Sequence, residues 1–295
     1  MKSKMLVVLA LWLVLAQQAF AAPQHRGKSV YPPQMEGARV EVYKTIGDTK
    51  LKLYSFGPAA TTNASAIVFF FGGGWSKGSP QQFEEQCRYL AKRGMVAITA
   101  NYRVETRQHV KPTQCLADAR SAIRWVRANA ARLGIDPNRI AAGGGSAGGH
   151  LAAATATISA FDEPGEDQKI SATPNALVLF NPALVLAPME GLNLEDFAAR
   201  VSEERFGTKP ENISPAHHIR AGVPPTIIFH GRADKTVPFV TAEAFAAKMK
   251  AAGNRCELVG YADQVHGFFN QEPWLAKTIA EMDKFLVSLG WLPAK

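Results

Sequence analysis

The spacing of apolar and polar positions changes along this chain, and each change marks an element. Residues 38–47 (ARVEVYKTIG) and 49–58 (TKLKLYSFGP) alternate apolar and polar, with Gly47 and Asp48 between them. That period of two predicts a pair of antiparallel strands. Residues 65–71 (SAIVFFF) are apolar almost throughout, as a strand covered on both faces should be. The pattern then turns helical. Phe83, Cys87, Leu90 and Ala91 share one face of residues 81–94, and Gly94 marks the stop. Residues 95–103 (MVAITANYR) read as the next strand. Over 112–133, Leu116, Ala119, Ile123, Val126 and Ala130 recur at helical spacing and predict one long helix. A short strand over 139–144 and a small-residue helix over 147–160 follow. Further strands are expected at 175–182, 226–231 and 256–261, with helices near 238–252 and 274–289. Strand and helix alternate, which predicts one α/β domain over 38–295, with a mainly parallel central sheet and helices on both faces. Residues 183–222 break the rhythm and read as a short irregular insertion, a small lid near the site.

The first residues follow a different logic. Lys2 and Lys4 precede an unbroken apolar run from Met5 to Ala16, and small residues follow, ending Ala19-Phe20-Ala21. A basic start, a short apolar core and an A-x-A ending predict a secretory signal peptide over 1–21, cut before Ala22. A run of about 12 residues is too short to span a bilayer comfortably. The expectation is therefore a secreted or periplasmic protein with no stable membrane insertion after cleavage. Residues 22–37 are polar with prolines and read as an irregular N-terminal arm.

Bulk composition narrows the picture only a little. With 47% apolar and 20% charged residues, the 295-residue chain has globular composition. Lys and Arg exceed Asp and Glu by 33 to 25, a net charge of +8. The basic residues are scattered, with no basic stripe interleaved with aromatics. They read as solubilising surface charge, and nucleic acid is not expected as a partner. Three cysteines, Cys87, Cys115 and Cys256, have no metal-like spacing and read as buried thiols. An exported protein could also pair two of them.

Candidate chemistry concentrates at residues 141–150 (AAGGGSAGGH), where Ser146 stands among glycines. Gly144-Gly145-Ser146-Ala147-Gly148 fits G-x-S-x-G between a strand and a helix, the context in which that pattern carries a nucleophile. A serine on so sharp a turn is strained, and residues two positions either side approach each other too closely for side chains. The helix start also aims free N–H groups at an incoming carbonyl oxygen. A serine hydroxyl needs a base to take its proton. His266 (DQVHGFF, 263–269) and Asp234 (FHGRADKTVP, 229–238) each follow a strand, in the order serine, acid, histidine. His266 is the expected base and Asp234 the group that orients it. Asp263 is a weaker alternative acid. His230, His150, His217 and His218 read as structural or surface residues, and no metal is expected. A glycine loop at 71–75 (FGGGW) ends an earlier strand. Its N–H groups at Gly73 and Gly74, with that of Ala147, would form an oxyanion hole. No G-K-[ST] follows the loop, so phosphate cradling is not expected.

Taken together, GGGSAGGHLA, NYR (101–103), PTQCLADARSAIRWVRANAARLGIDPNRIA and SPAHHIRAGVPPTIIFHGRADKTVP resemble the α/β-hydrolase serine esterases. The resemblance is to the hormone-sensitive-lipase-like group, and within it to bacterial secreted acetyl xylan and feruloyl esterases. It covers about residues 38–290. It implies an acyl-enzyme mechanism on short acyl esters of carbohydrate or on feruloyl esters, without cofactor or metal. A small ester or acylated polysaccharide would be the partner, and the protein a monomer or weak homodimer. Trp75 and Phe268 are candidate walls of the substrate pocket. Two alternatives stay open: an amide hydrolase of arylformamidase type, and a non-catalytic carbohydrate-binding relative. One departure stands out. The resemblance implies His-Gly-Gly-Gly-Trp, and this chain has Phe71 in the first position.

Overall fold

A computed structural model describes residues 31–57, 63–192 and 201–294. The expected signal peptide and most of the arm lie outside them; residues 31–37 of the arm are irregular. Among the described residues no helix is long and apolar enough to cross a membrane.

Eight strands form one sheet: β1 (Arg39–Ile46), β2 (Thr49–Phe56), β3 (Ala64–Phe70), β4 (Val96–Ala100), β5 (Ile135–Gly145), β6 (Ala176–Phe180), β7 (Thr226–Gly231) and β8 (Cys256–Tyr261). Their spatial order is β1-β2-β4-β3-β5-β6-β7-β8. The β1–β2 and β2–β4 pairs are antiparallel and every other pair is parallel. The longer helices are α1 (Glu84–Lys92), α3 (Pro112–Ala128), α5 (Ala147–Thr157), α7 (Phe239–Ala251) and α8 (Trp274–Ser288). Short turns of helix are α2 (Glu105–Gln108), α4 (Ala130–Leu133) and α6 (Glu203–Phe206).

The unbroken apolar run of β3 has a direct cause. Ala66, Val68 and Phe70 face a core shared with α3, α5 and α7, while Ile67 and Phe69 face a second core shared with α1 and α8. Each fully buried Val, Ile or Phe side chain is worth about 1.5–3 kcal/mol relative to exposure. A single polar residue on either face would forfeit that gain and add a desolvation cost.

Three details depart from the sequence expectation. The helix expected over 112–133 breaks at Asn129 into α3 and α4. The register of β1 shifts between Val42 and Lys44, so Tyr43 and Lys44 are both buried while Val40 and Val42 are exposed. The basic residues are not all surface charge. Lys44 and Arg103 are buried on Asp118 and reach Glu163, and Arg120 and Arg124 pair with Asp162. Cys87, Cys115 and Cys256 are free and buried.

Candidate active site

The carboxyl ends of β5, β7 and β8 lead into the loops that carry the chemistry-bearing residues. At the end of β5, Ser146 has φ 54° and ψ −117°, a left-handed conformation disfavoured for a non-glycine residue. Its N–H donates to Phe180 O at 2.8 Å, and its carbonyl accepts from His150 N–H at 2.9 Å as α5 begins. Two glycines make the turn possible. A Cβ on Gly144 would lie 2.4 Å from Gly148 O, and one on Gly148 would lie 2.0 Å from Phe70 O. Both are backbone contacts that cannot yield.

His266 Nε2 lies 2.9 Å from Ser146 Oγ, and His266 Nδ1 lies 2.7 Å from Asp234 Oδ2. Residues expected to act together, 120 positions apart in the chain, thus meet in one hydrogen-bonded line. Gly231 explains the approach of the two later loops: a Cβ there would sit 2.2 Å from Gln264 O. Ala233 N–H also donates to Gln264 O, at 3.0 Å. Asp234 is buried, which alone would raise its pKa, but hydrogen bonds from His230, His266 and Val237 N–H outweigh the burial and hold it far below the ordinary carboxylate range. An ionised Asp234 accepts a hydrogen bond from Nδ1–H, which leaves Nε2 as the acceptor for the serine hydroxyl. Asp263, the weaker alternative acid, is not within hydrogen-bonding distance of His266 in any contact of the described residues.

The carboxylate is held on every side. Its Oδ1 accepts from Thr236 N–H at 2.8 Å and Val237 N–H at 2.9 Å. Its Oδ2 accepts from His266 and also from Asn181 Nδ2 at 2.9 Å. His230 Nε2 lies 3.3 Å from the same oxygen and donates to Val237 O at 2.9 Å. Sequence reasoning took His230 as structural and passed over Asn181, whose only mark was a polar residue closing an apolar strand.

Beside Ser146 lies a cavity of about 90 Å³ lined by Gly74, Trp75, Ala147, Ala183, Val201, Arg205, Thr236 and Val237. Gly74 and Ala147 therefore border the space next to the serine, as an oxyanion site requires. Gly73 shapes the loop, its carbonyl accepting from Ser76 and Lys77 N–H at 3.1 Å. Gly72 N–H is already committed to Gln82 Oε1 at 2.6 Å. Trp75 is a wall of the cavity. Phe268 is not: it is buried between Tyr261 and Trp274 in the core on the α8 side of the sheet. Gly267, with φ 80°, turns the chain after His266 into a short 3-10 turn that begins at Phe268.

Phe71 has a structural reason. Its ring stacks on Tyr102 with centroids 4.0 Å apart, and Tyr102 Oη donates to Phe71 O at 2.7 Å. The glycine loop is thus braced by an aromatic pair. Further along, Trp75 Nε1 donates to His150 Nδ1 at 3.2 Å, and His150 Nε2 donates to Ile213 O at 2.7 Å. Burial lowers the His150 pKa to about 4, so this bridge from the loop to the insertion is neutral at ordinary pH. His217 and His218 bond to Ser214 Oγ and Glu211 O, local contacts within the insertion. Among the described residues no cluster of His, Cys, Asp or Glu could hold a metal ion.

Comparison with known proteins places the chain in a family. The BD-FAE family model matches residues 53–249. The solved structure of esterase Est2 from Thermogutta terrifontis is 54% identical, with a TM-score of 0.85, over 91% of this chain and 98% of that one. The same protein has also been solved with butyrate bound, at 52% identity and a TM-score of 0.85 over 91% and 100% of the two chains. Among curated relatives, esterase LipC of Mycobacterium tuberculosis is 31% identical over 70% of this chain and 54% of its own length. An acetylxylan esterase of Xylanibacter ruminicola is 28% identical over 80% of this chain and 47% of its own. The chain spans about half the length of these curated relatives.

Proposed function

The chain belongs to the BD-FAE family and has the α/β-hydrolase fold, and from that premise we propose that it is a serine carboxylic ester hydrolase acting on short acyl esters. The observation that carries this reading is the line Ser146–His266–Asp234, ending at a cavity bordered by Gly74 and Ala147. Ser146 Oγ attacks the ester carbonyl while His266 Nε2 takes its proton. The carbonyl electrons move onto oxygen, facing the backbone N–H groups of the glycine loop and of Ala147. His266 then gives the proton to the departing alcohol, leaving an acyl group on Ser146. Water, giving its proton to the same imidazole, attacks the acyl carbon; the bond to Ser146 Oγ then breaks, the imidazolium returns the proton to Oγ, and the acid departs.

Cavity size supports a short acyl chain. A cavity of about 90 Å³ suits a small acyl group such as acetyl to butyryl better than an aromatic acid. Walls from Ala183, Val201 and Val237 suit an alkyl chain. The butyrate found on the Thermogutta esterase is consistent with that class. Acetylated carbohydrate is the natural substrate we favour, supported by the likeness to the acetylxylan esterase and by the secretory pattern of residues 1–21. Release into the periplasm or medium belongs to the same proposal.

Hydrolysis of p-nitrophenyl esters from acetate to octanoate, with methyl ferulate alongside, tests the reading. Turnover is expected to peak between acetate and butyrate and to be slow on ferulate. Ser146→Ala should lower it by about a thousandfold or more. Equal activity in the variant, or a preference for octanoate, would overturn it.

A further inference from the structure

Asn181 closes β6, between the strand that carries the serine and the strand that carries the acid. It is fully buried and has φ 42°, a conformation that asparagine tolerates better than most residues. Its own N–H donates to Phe229 O at 2.8 Å, anchoring it to β7. Its side chain then spans two loops. Nδ2 donates to Asp234 Oδ2 at 2.9 Å, and Oδ1 accepts from Gly267 N–H at 3.3 Å. Gly267 is the residue after His266, so one amide touches the acid itself and the backbone of the base. The preceding residue, Phe180, accepts the N–H of Ser146. All three members of the line are therefore referenced to the end of one strand.

We propose that Asn181 is a positioning residue that fixes Asp234 and His266 relative to each other, through an amide whose two ends have different jobs. The donor end supplies Asp234 Oδ2 with a hydrogen bond that an acceptor cannot replace. The acceptor end holds the His266 loop at the matching height. The titratable groups in contact with the carboxylate are His266 and His230, while Arg232 and Lys235 on the same loop are exposed. The inference rests on the proposed ester-hydrolase reading for its kinetic consequence, but its geometric content does not.

Two substitutions separate positioning from space filling. Asn181→Asp keeps the shape and exchanges the donor for a carboxylate. A carboxyl beside Asp234 keeps a proton at low pH and can still donate. On losing that proton it repels Asp234. Its kcat should therefore fall on the alkaline side, where the wild-type kcat is level. Asn181→Gly keeps the tolerance for positive φ and removes the amide. It should lower kcat by about tenfold or more with KM within about threefold. The downfield proton resonance of His266 Nδ1–H, identified by its loss in His266→Ala, should shift or broaden in both variants. A wild-type pH profile in Asn181→Asp, or an unmoved resonance, would overturn the proposal, and the first variant decides alone if the second does not fold. If the wild type shows no serine-dependent turnover, the esterase reading fails separately and the resonance still decides the positioning role.

Discussion

His150 shows how much one buried residue can commit to. Its ring accepts from Trp75 and donates to Ile213 O, which fixes its tautomer and ties the cavity wall to the insertion. With a folded pKa of about 4 against an ordinary value near 6.5, it stays neutral in the native state where the unfolded chain would take up a proton. Stability therefore falls as pH drops from about 6.5 to 4 and levels off below, by about 3 kcal/mol from this group. His150→Gln has no such titration. Urea unfolding at pH 7 and pH 4 should show the variant less stable at pH 7, with the gap to wild type closing by about that amount at pH 4. Parallel losses in both proteins would contradict the assignment. Asp234 has the opposite pattern of causes. Its lowered pKa means its contribution is present above the ordinary carboxylate range and is lost only in strong acid.

At the scale of elements, the turn from β5 into α5 is where packing and chemistry meet. The glycine pattern around Ser146 was legible because its cause is local: backbone crossing backbone allows no side chain. Gly148→Ala should place a methyl against Phe70 O and Phe71 O, at 2.0 and 2.4 Å, so β3 and the glycine loop must move. Thermal unfolding should show a loss of about 3 kcal/mol, a Tm lower by roughly 10 °C, together with reduced turnover. A variant as stable as wild type would show that the turn has slack. Other elements were less legible. The shift in β1 buries Lys44, yet Val40 and Val42 gave it the alternation of a half-buried strand. Lys44 goes inward because Asp118 and Glu163 wait there, residues 74 and 119 positions away, and no local pattern encodes such partners. Phe268 was misplaced for a similar reason. Closeness to His266 in sequence suggested the cavity, but its ring turned to the opposite core.

Across the whole molecule, the parallel sheet and the serine–acid–histidine order were readable because period and chain order survive without coordinates. Asn181, the cavity lining from the insertion and the Phe71–Tyr102 brace were not, since each depends on segments brought together only by the fold. The sheet sets the loops after β5, β6, β7 and β8 side by side, and the reaction proposed for this chain needs all four. Its central claim is a covalent acyl group on Ser146. The most direct test is to mix the protein with p-nitrophenyl acetate, quench in acid within the first turnovers, and locate the added mass by peptide mapping. The account predicts one acetyl group on the peptide containing Ser146, absent from Ser146→Ala. Turnover with no adduct, or an adduct that persists in Ser146→Ala, would contradict it.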